Sequence, residues 1–108
     1  MKELVVIITT TDSIDNVNKI SDGLLSLHLV ACVQIDKIES KYVWEGKICH
    51  DDEYRLFIKT TKEKEEECYH KIKELHSYTT PEIITLKVTN VTDDYLNWAY
   101  EVTGNEKI

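Results

Sequence analysis

The stretch from Val30 to Ile48 constrains the fold more than any other part of the chain. It reads as extended almost throughout. Val30-Ala31-Cys32-Val33-Gln34-Ile35 and Tyr42-Val43-Trp44 are its apolar parts, and Asp36 to Ser40 predicts a bulge or bend between them. A straight strand of that length reaches ~60 Å, about twice the width of a domain this size. The segment must therefore fold back on itself, or carry its far end out of the domain to pair elsewhere. The best turn signal after it is Asp51-Asp52.

The remaining elements fall around this segment. Glu3 to Thr11 holds five consecutive apolar residues, Leu4 to Ile8, and predicts a central strand buried on both faces. Asp12 is placed to cap a helix from Ser13 to about Leu29, in which Ile14, Val17, Ile20, Leu24 and Leu27 recur on one side. Gly23 inside it costs ~1 kcal/mol against Ala, and a close helix–sheet contact is the expected reason. Tyr54 to Thr60 returns as a strand. Thr61 then caps a second helix, Lys62 to about His76, with Tyr69, Ile72 and Leu75 on its apolar side. Pro81 opens the strand Ile83 to Val88, and Asp93 starts a last helix carrying Tyr95, Trp98 and Val102 on one side. The order β-α-β-β-α-β with an extra C-terminal helix predicts an α+β, ferredoxin-like split fold. Both main helices should lie on one face of an antiparallel sheet.

Three Gly and one Pro leave no material for a linker, so residues 1–108 are expected to form one domain. A net charge of -7 argues against nucleic acid and anionic membrane as partners. The run Leu4 to Ile8 is too short for a span or a signal core. Cys32, Cys49 and Cys68 are odd in number and lack a C-x-x-C pair, which fits free thiols in a reducing, cytoplasmic setting. No nucleophile–base pair, phosphate-binding glycine loop or paired metal-histidine motif is present, so the chain is not expected to be an enzyme.

Candidate ligands for a metal are few. Cys32 is a soft donor suited to copper(I), or else a small buried core residue. His76 is a borderline donor, or else a partner for the negative end of the second helix. Cys49 and His50 are adjacent, but neighbours on an extended strand point to opposite faces. Glu45, Asp51, Asp52 and Glu53 lack the spacing of a calcium loop and read as a solvated hairpin tip. Tyr42 and Trp44 have no place in a small core if the long strand overshoots it, and are expected at a contact between subunits.

Several segments resemble one family. Leu29-Val30-Ala31-Cys32-Val33 resembles the LAACVN stretch of the CutA divalent-cation-tolerance proteins. Tyr42-Val43-Trp44-Glu45-Gly46-Lys47-Ile48 is similar to their Y-x-W-x-G-K signature, and Lys59-Thr60-Thr61 to their K-T-t. Leu75 to Ile83 resembles their H-P-Y-x-x-P-E-I, with Ser77 in place of the Pro, and Tyr95-Leu96-Asn97-Trp98 their Y-L-x-W. The resemblance spans almost the whole chain in one register. It implies a homotrimer similar in architecture to PII-type signalling proteins, and a loose association with copper or other divalent metals. Some members carry a Cys and a second His where this chain has Thr9 and Leu75, so only His76 remains of that set. With Cys32 it makes the candidate metal pair, weakly binding unless neighbouring subunits add ligands. The alternative implied by the same resemblance is a PII-like adaptor that takes a small ligand or protein partner in clefts between subunits.

Overall fold

The structure is a computed structural model and describes residues 1–104. It contains β1 (Leu4–Thr11), α1 (Ile14–Ser26), β2 (Cys32–Trp44), β3 (Lys47–Thr61), α2 (Glu65–Leu75), β4 (Ile83–Lys87) and α3 (Asp93–Gly104), with a 3-10 turn at Lys62–Lys64 before α2. The four strands form one antiparallel sheet in the order β2-β3-β1-β4, as the split fold requires. Its centre is β1, seven of whose eight residues are hydrophobic or threonine side chains that are less than 8% exposed: all but Val6.

One face of the sheet meets α1 and α2. Ile7, Leu56 and Ile58 project from it into a cluster with Val17, Ile20 and Leu24 of α1 and Cys68 and Ile72 of α2. Gly23 sits where α1 crosses α2, and a Cβ there would lie 2.7 Å from Cδ1 of Leu75. The close contact is thus between helices, not between helix and sheet. The other face is covered only in part, by α3. That helix buries Ala99 and Thr103, while Trp98 stays 41% exposed, so the expected stripe Tyr95–Trp98–Val102 is not its buried side.

Several local expectations are corrected. Ser13, not Asp12, caps α1: its side chain accepts from the Asn16 amide. The helix ends at Ser26, earlier than Leu29, because His28 takes a left-handed conformation (φ 59). The His28 amide bonds the Leu25 carbonyl and the Leu29 amide bonds the Leu24 carbonyl, which is a Schellman closure with histidine where glycine is usual. Thr61 precedes the 3-10 turn and makes no side-chain cap, and α2 proper starts at Glu65.

The long segment resolves in both expected ways at once. It folds back at Glu45 (φ 50) and Gly46 (φ 77), a two-residue turn with both centres left-handed, and not at Asp51-Asp52. Pairing runs unbroken from Cys32↔Lys59 to Trp44↔Lys47, so there is no bulge at Asp36 to Ser40. It also leaves the domain. β1 accompanies β3 only as far as Tyr54, and beyond that the seven pairs Ile38↔Glu53 to Trp44↔Lys47 form a free two-stranded arm. Such an arm projects ~23 Å and gives the molecule its longest dimension, 44 Å.

Candidate functional site

The tip of the arm carries apolar side chains on both faces. Strand alternation places Val43 and its partner Ile48 on one face, 71% and 83% exposed, and Tyr42 and Trp44 on the other, 41% and 54% exposed. The Tyr42 hydroxyl donates to Asp51, which pushes the phenol up to about 12. The open face of the sheet continues this apolar surface through Ile84 and Leu86, 45% and 49% exposed, and Trp98. Tyr42 and Trp44 are therefore free to contact another surface. Ile84 and Leu86 share their face and Ile48 lies on the opposite one; all three were missed, because a strand read without its partners does not reveal which face stays open.

Cys32 opens β2 and is half-buried on the open face, opposite Lys59. The Tyr95 ring lies beside it, with its phenol raised by burial first and by Cys32 second. The Lys59 ammonium stands 5.9 Å over the same ring. Cys68 is different: it is fully buried, its thiol donates to the Leu29 carbonyl, and burial pushes it up to about 12. Cys49 and His50 do point to opposite faces of β3, and His50 Nε2 approaches Glu39 Oε1 at 3.5 Å.

His76 lies just past the end of α2 and is 9% exposed. Its Nε2–H donates to the Thr10 carbonyl at 2.8 Å, and its Nδ1 accepts from the Tyr78 amide at 3.0 Å. Both ring nitrogens are committed to backbone partners, so within this chain His76 presents no free lone pair to a metal. Nor does it approach Cys32. Cys32 is in register with Lys59 and through it with Val6, whereas His76 bonds Thr10, four positions along β1 and two strands away. Four positions are ~13 Å, far beyond the span of one metal ion's ligands. Among the described residues, no group of three or more His, Cys, Asp or Glu side chains is arranged to hold a metal ion.

Around His76 sits a polar knot that sequence reading did not find. Tyr78 donates to Oε2 of Glu53 at 2.7 Å and packs on the imidazole with ring centroids 5.0 Å apart. Glu53 is not at a solvated tip; it is 9% exposed, at the root of the arm. Asn16 bonds the Leu75 carbonyl through Nδ2, and its Oδ1 accepts from Thr11 and Ser77. Beside the knot, Asp12, Lys37, Glu53 and Tyr54 line part of a groove of about 460 Å³. The signal available was Asn16 at the third helical position after Ser13, but its partners come from 59 and 61 residues away.

Comparisons with known proteins agree with this architecture. Residues 5–102 match the family model of the CutA1 divalent ion tolerance protein. The divalent-cation tolerance protein CutA of Thermotoga maritima is 40% identical over 98 residues, covering 91% of this chain and 97% of its own. The crystal structure of the divalent ion tolerance protein CutA1 from Ehrlichia chaffeensis superposes with a TM-score of 0.90 at 36% identity, covering 95% of this chain and 97% of that one. The structure of the periplasmic divalent cation tolerance protein CutA from Archaeoglobus fulgidus also gives 0.90, at 35% identity, covering 93% and 98%. Among the described residues, no helix is long and apolar enough to cross a membrane.

Proposed function

Because the chain belongs to the CutA1 divalent ion tolerance protein family, we propose that it acts without catalysis, as a homotrimer that binds copper or another divalent cation weakly in the response to metal ions. The observation that carries the reading is the two-stranded arm, unsupported by β1, whose tip exposes apolar side chains on both faces. An isolated hairpin is marginal in water, and this one gains cover only from other copies. The sheet also has two unlike free edges, β2 and β4, which favour head-to-tail contacts that close into a ring. A ring is the natural place for the metal as well. Cys32 supplies one soft donor per chain, and a complete site draws donors from neighbouring copies. The net charge of -7 concentrates cations around the assembly. The free thiols Cys32, Cys49 and Cys68 support a reducing, cytoplasmic setting.

Size exclusion with light scattering should give three times the 12.6 kDa chain mass. Metal analysis of untagged protein, then calorimetric titration of copper(II) into the wild type and Cys32→Ser, tests the ion. Binding lost in a trimeric Cys32→Ser supports the reading, and unchanged binding rejects Cys32 as a ligand.

A second reading has its own support. With His76 committed to backbone partners and no three-donor group within one chain among the described residues, the trimer also fits a PII-like adaptor. It would hold a small ligand or protein partner in clefts between subunits, with metal uptake weak and nonspecific. Stoichiometric copper binding at one class of site would exclude it.

A further inference from the structure

The two groups that hold His76 have fixed roles. A carbonyl can only accept, so Nε2 carries a hydrogen toward Thr10; a backbone amide can only donate, so Nδ1 is bare toward Tyr78. The ring is therefore neutral and in one tautomer. Tyr78 is held at both its ends, by His76 at the amide and by Glu53 at the hydroxyl. The residues before it are held by something else. Asn16 ties the Leu75 carbonyl and the Ser77 amide and hydroxyl, and an amide side chain does not titrate. The segment thus has a fixed clamp ending at Ser77 and a separate, protonatable one at Tyr78.

We propose that His76, Tyr78 and Glu53 form a proton-operated latch, in which a proton taken up at Nδ1 of His76 breaks the bond from the Tyr78 amide and frees Tyr78 from Glu53. The Nδ1 lone pair takes a proton from solvent, and no covalent bond between heavy atoms changes. The imidazolium then presents an N–H to the Tyr78 N–H, two donors 3.0 Å apart with no acceptor between them. The ring cannot turn away without also losing Thr10, so the lighter movement is that of Tyr78, pivoting beyond the Asn16 clamp. Its departure bares the Glu53 carboxylate to the groove that Asp12, Lys37 and Tyr54 share with it.

The surroundings set when this happens. Glu53 from β3 and Asp12 from the β1–α1 corner both favour the imidazolium, and so does the Thr10 carbonyl; α1 contributes only the neutral Asn16. Burial opposes them and is the larger effect, so the imidazole stays below its usual range and the latch is closed at neutral pH. The Tyr78 phenol, raised first by burial and then by Glu53, remains a donor throughout. What opens the latch is therefore the amide bond, not loss of the hydroxyl proton.

The inference does not depend on the metal reading and is tested on the full chain in its native assembly by nuclear magnetic resonance. At pH 7.5 the His76 ring nitrogens should show a protonated Nε2 and a bare Nδ1. On acidification, the Tyr78 amide and ring signals should shift with the same midpoint as the His76 ring, below ~6.5. Glu53→Gln should move that midpoint down, by removing a carboxylate that favours the imidazolium, while still accepting from Tyr78. Tyr78→Phe should leave the amide at position 78 titrating with His76. Tyr78 signals that stay flat through the His76 titration, or a proton on Nδ1 at pH 7.5, would overturn the latch, and the wild-type measurement decides this even if a variant fails to fold.

Discussion

Ile48 offers a clean separation between folding and assembly. At 83% exposure it adds almost nothing to the core of its own chain, so Ile48→Ala should leave that core intact. Its partner across the arm is Val43, 71% exposed, so the pair has little cover within its own chain. Truncation to Ala removes three carbons, at ~0.8 kcal/mol each when buried. Scaled by the exposed fraction, the loss is ~2 kcal/mol per chain and ~6 kcal/mol for the proposed closed trimer. That corresponds to ~10⁴-fold in the trimer dissociation constant. Sedimentation velocity across a dilution series measures it, with circular dichroism to show that the lone chain keeps its secondary structure. The variant should dissociate at concentrations where the wild type stays whole, and its thermal midpoint should depend more steeply on concentration. A variant that dissociates like the wild type would show that no copy covers the arm at Ile48. A variant that unfolds at high concentration, where assembly is saturated, would show that the residue belongs to a core.

The topology was legible because each element carries its own signal. Five apolar residues in a row mark β1, and the period of Val17, Ile20 and Leu24 marks α1. Turn position was less legible. Asp51-Asp52 and Glu45-Gly46 are both turn chemistry, and strand pairing chose the second, because a turn at Asp51 would strip β2 of its register with β3. Length alone required the long segment to fold back or leave, and it did both. The site was hardest to read. His76 could be singled out as a histidine at a helix end, but whether its nitrogens are free depends on Thr10, 66 residues away. Glu53 looked like one acid among several, and only the Tyr78 hydroxyl, 25 residues on, distinguishes it. Local pattern fixes what an element is; which side chains meet at the ends of elements is decided by packing over long separations.

Two further substitutions and one titration test the local physics. His28→Gly should raise stability by ~0.5–1 kcal/mol, because a left-handed backbone costs a residue with a Cβ more than it costs glycine, and thermal melting at fixed protein concentration should show a higher midpoint. Thr9→Val should stabilise by ~1 kcal/mol, since the Thr9 hydroxyl is fully buried and has no hydrogen-bond partner among the described residues; a urea midpoint that falls would mean the hydroxyl is satisfied after all. The pH dependence of stability should show two separate windows. The folded pKa of His76 is depressed, so between its unfolded value near ~6.5 and its lower folded value the unfolded chain binds more protons. Stability should therefore be complete above ~6.5 and decline as pH falls through that window. Glu63, held low by its bond from Tyr100, and Glu65, held low by Lys62, also have depressed folded values, but their stabilisation fades only as pH falls below the ordinary carboxylate range. Urea unfolding from pH 8 to 3.5 separates the two, and His76→Gln should flatten the upper window while leaving the lower one. An unfolding free energy that rises as pH drops from 7 to 5.5 would mean the folded imidazole is the more basic one, with Glu53 and Asp12 outweighing burial at His76.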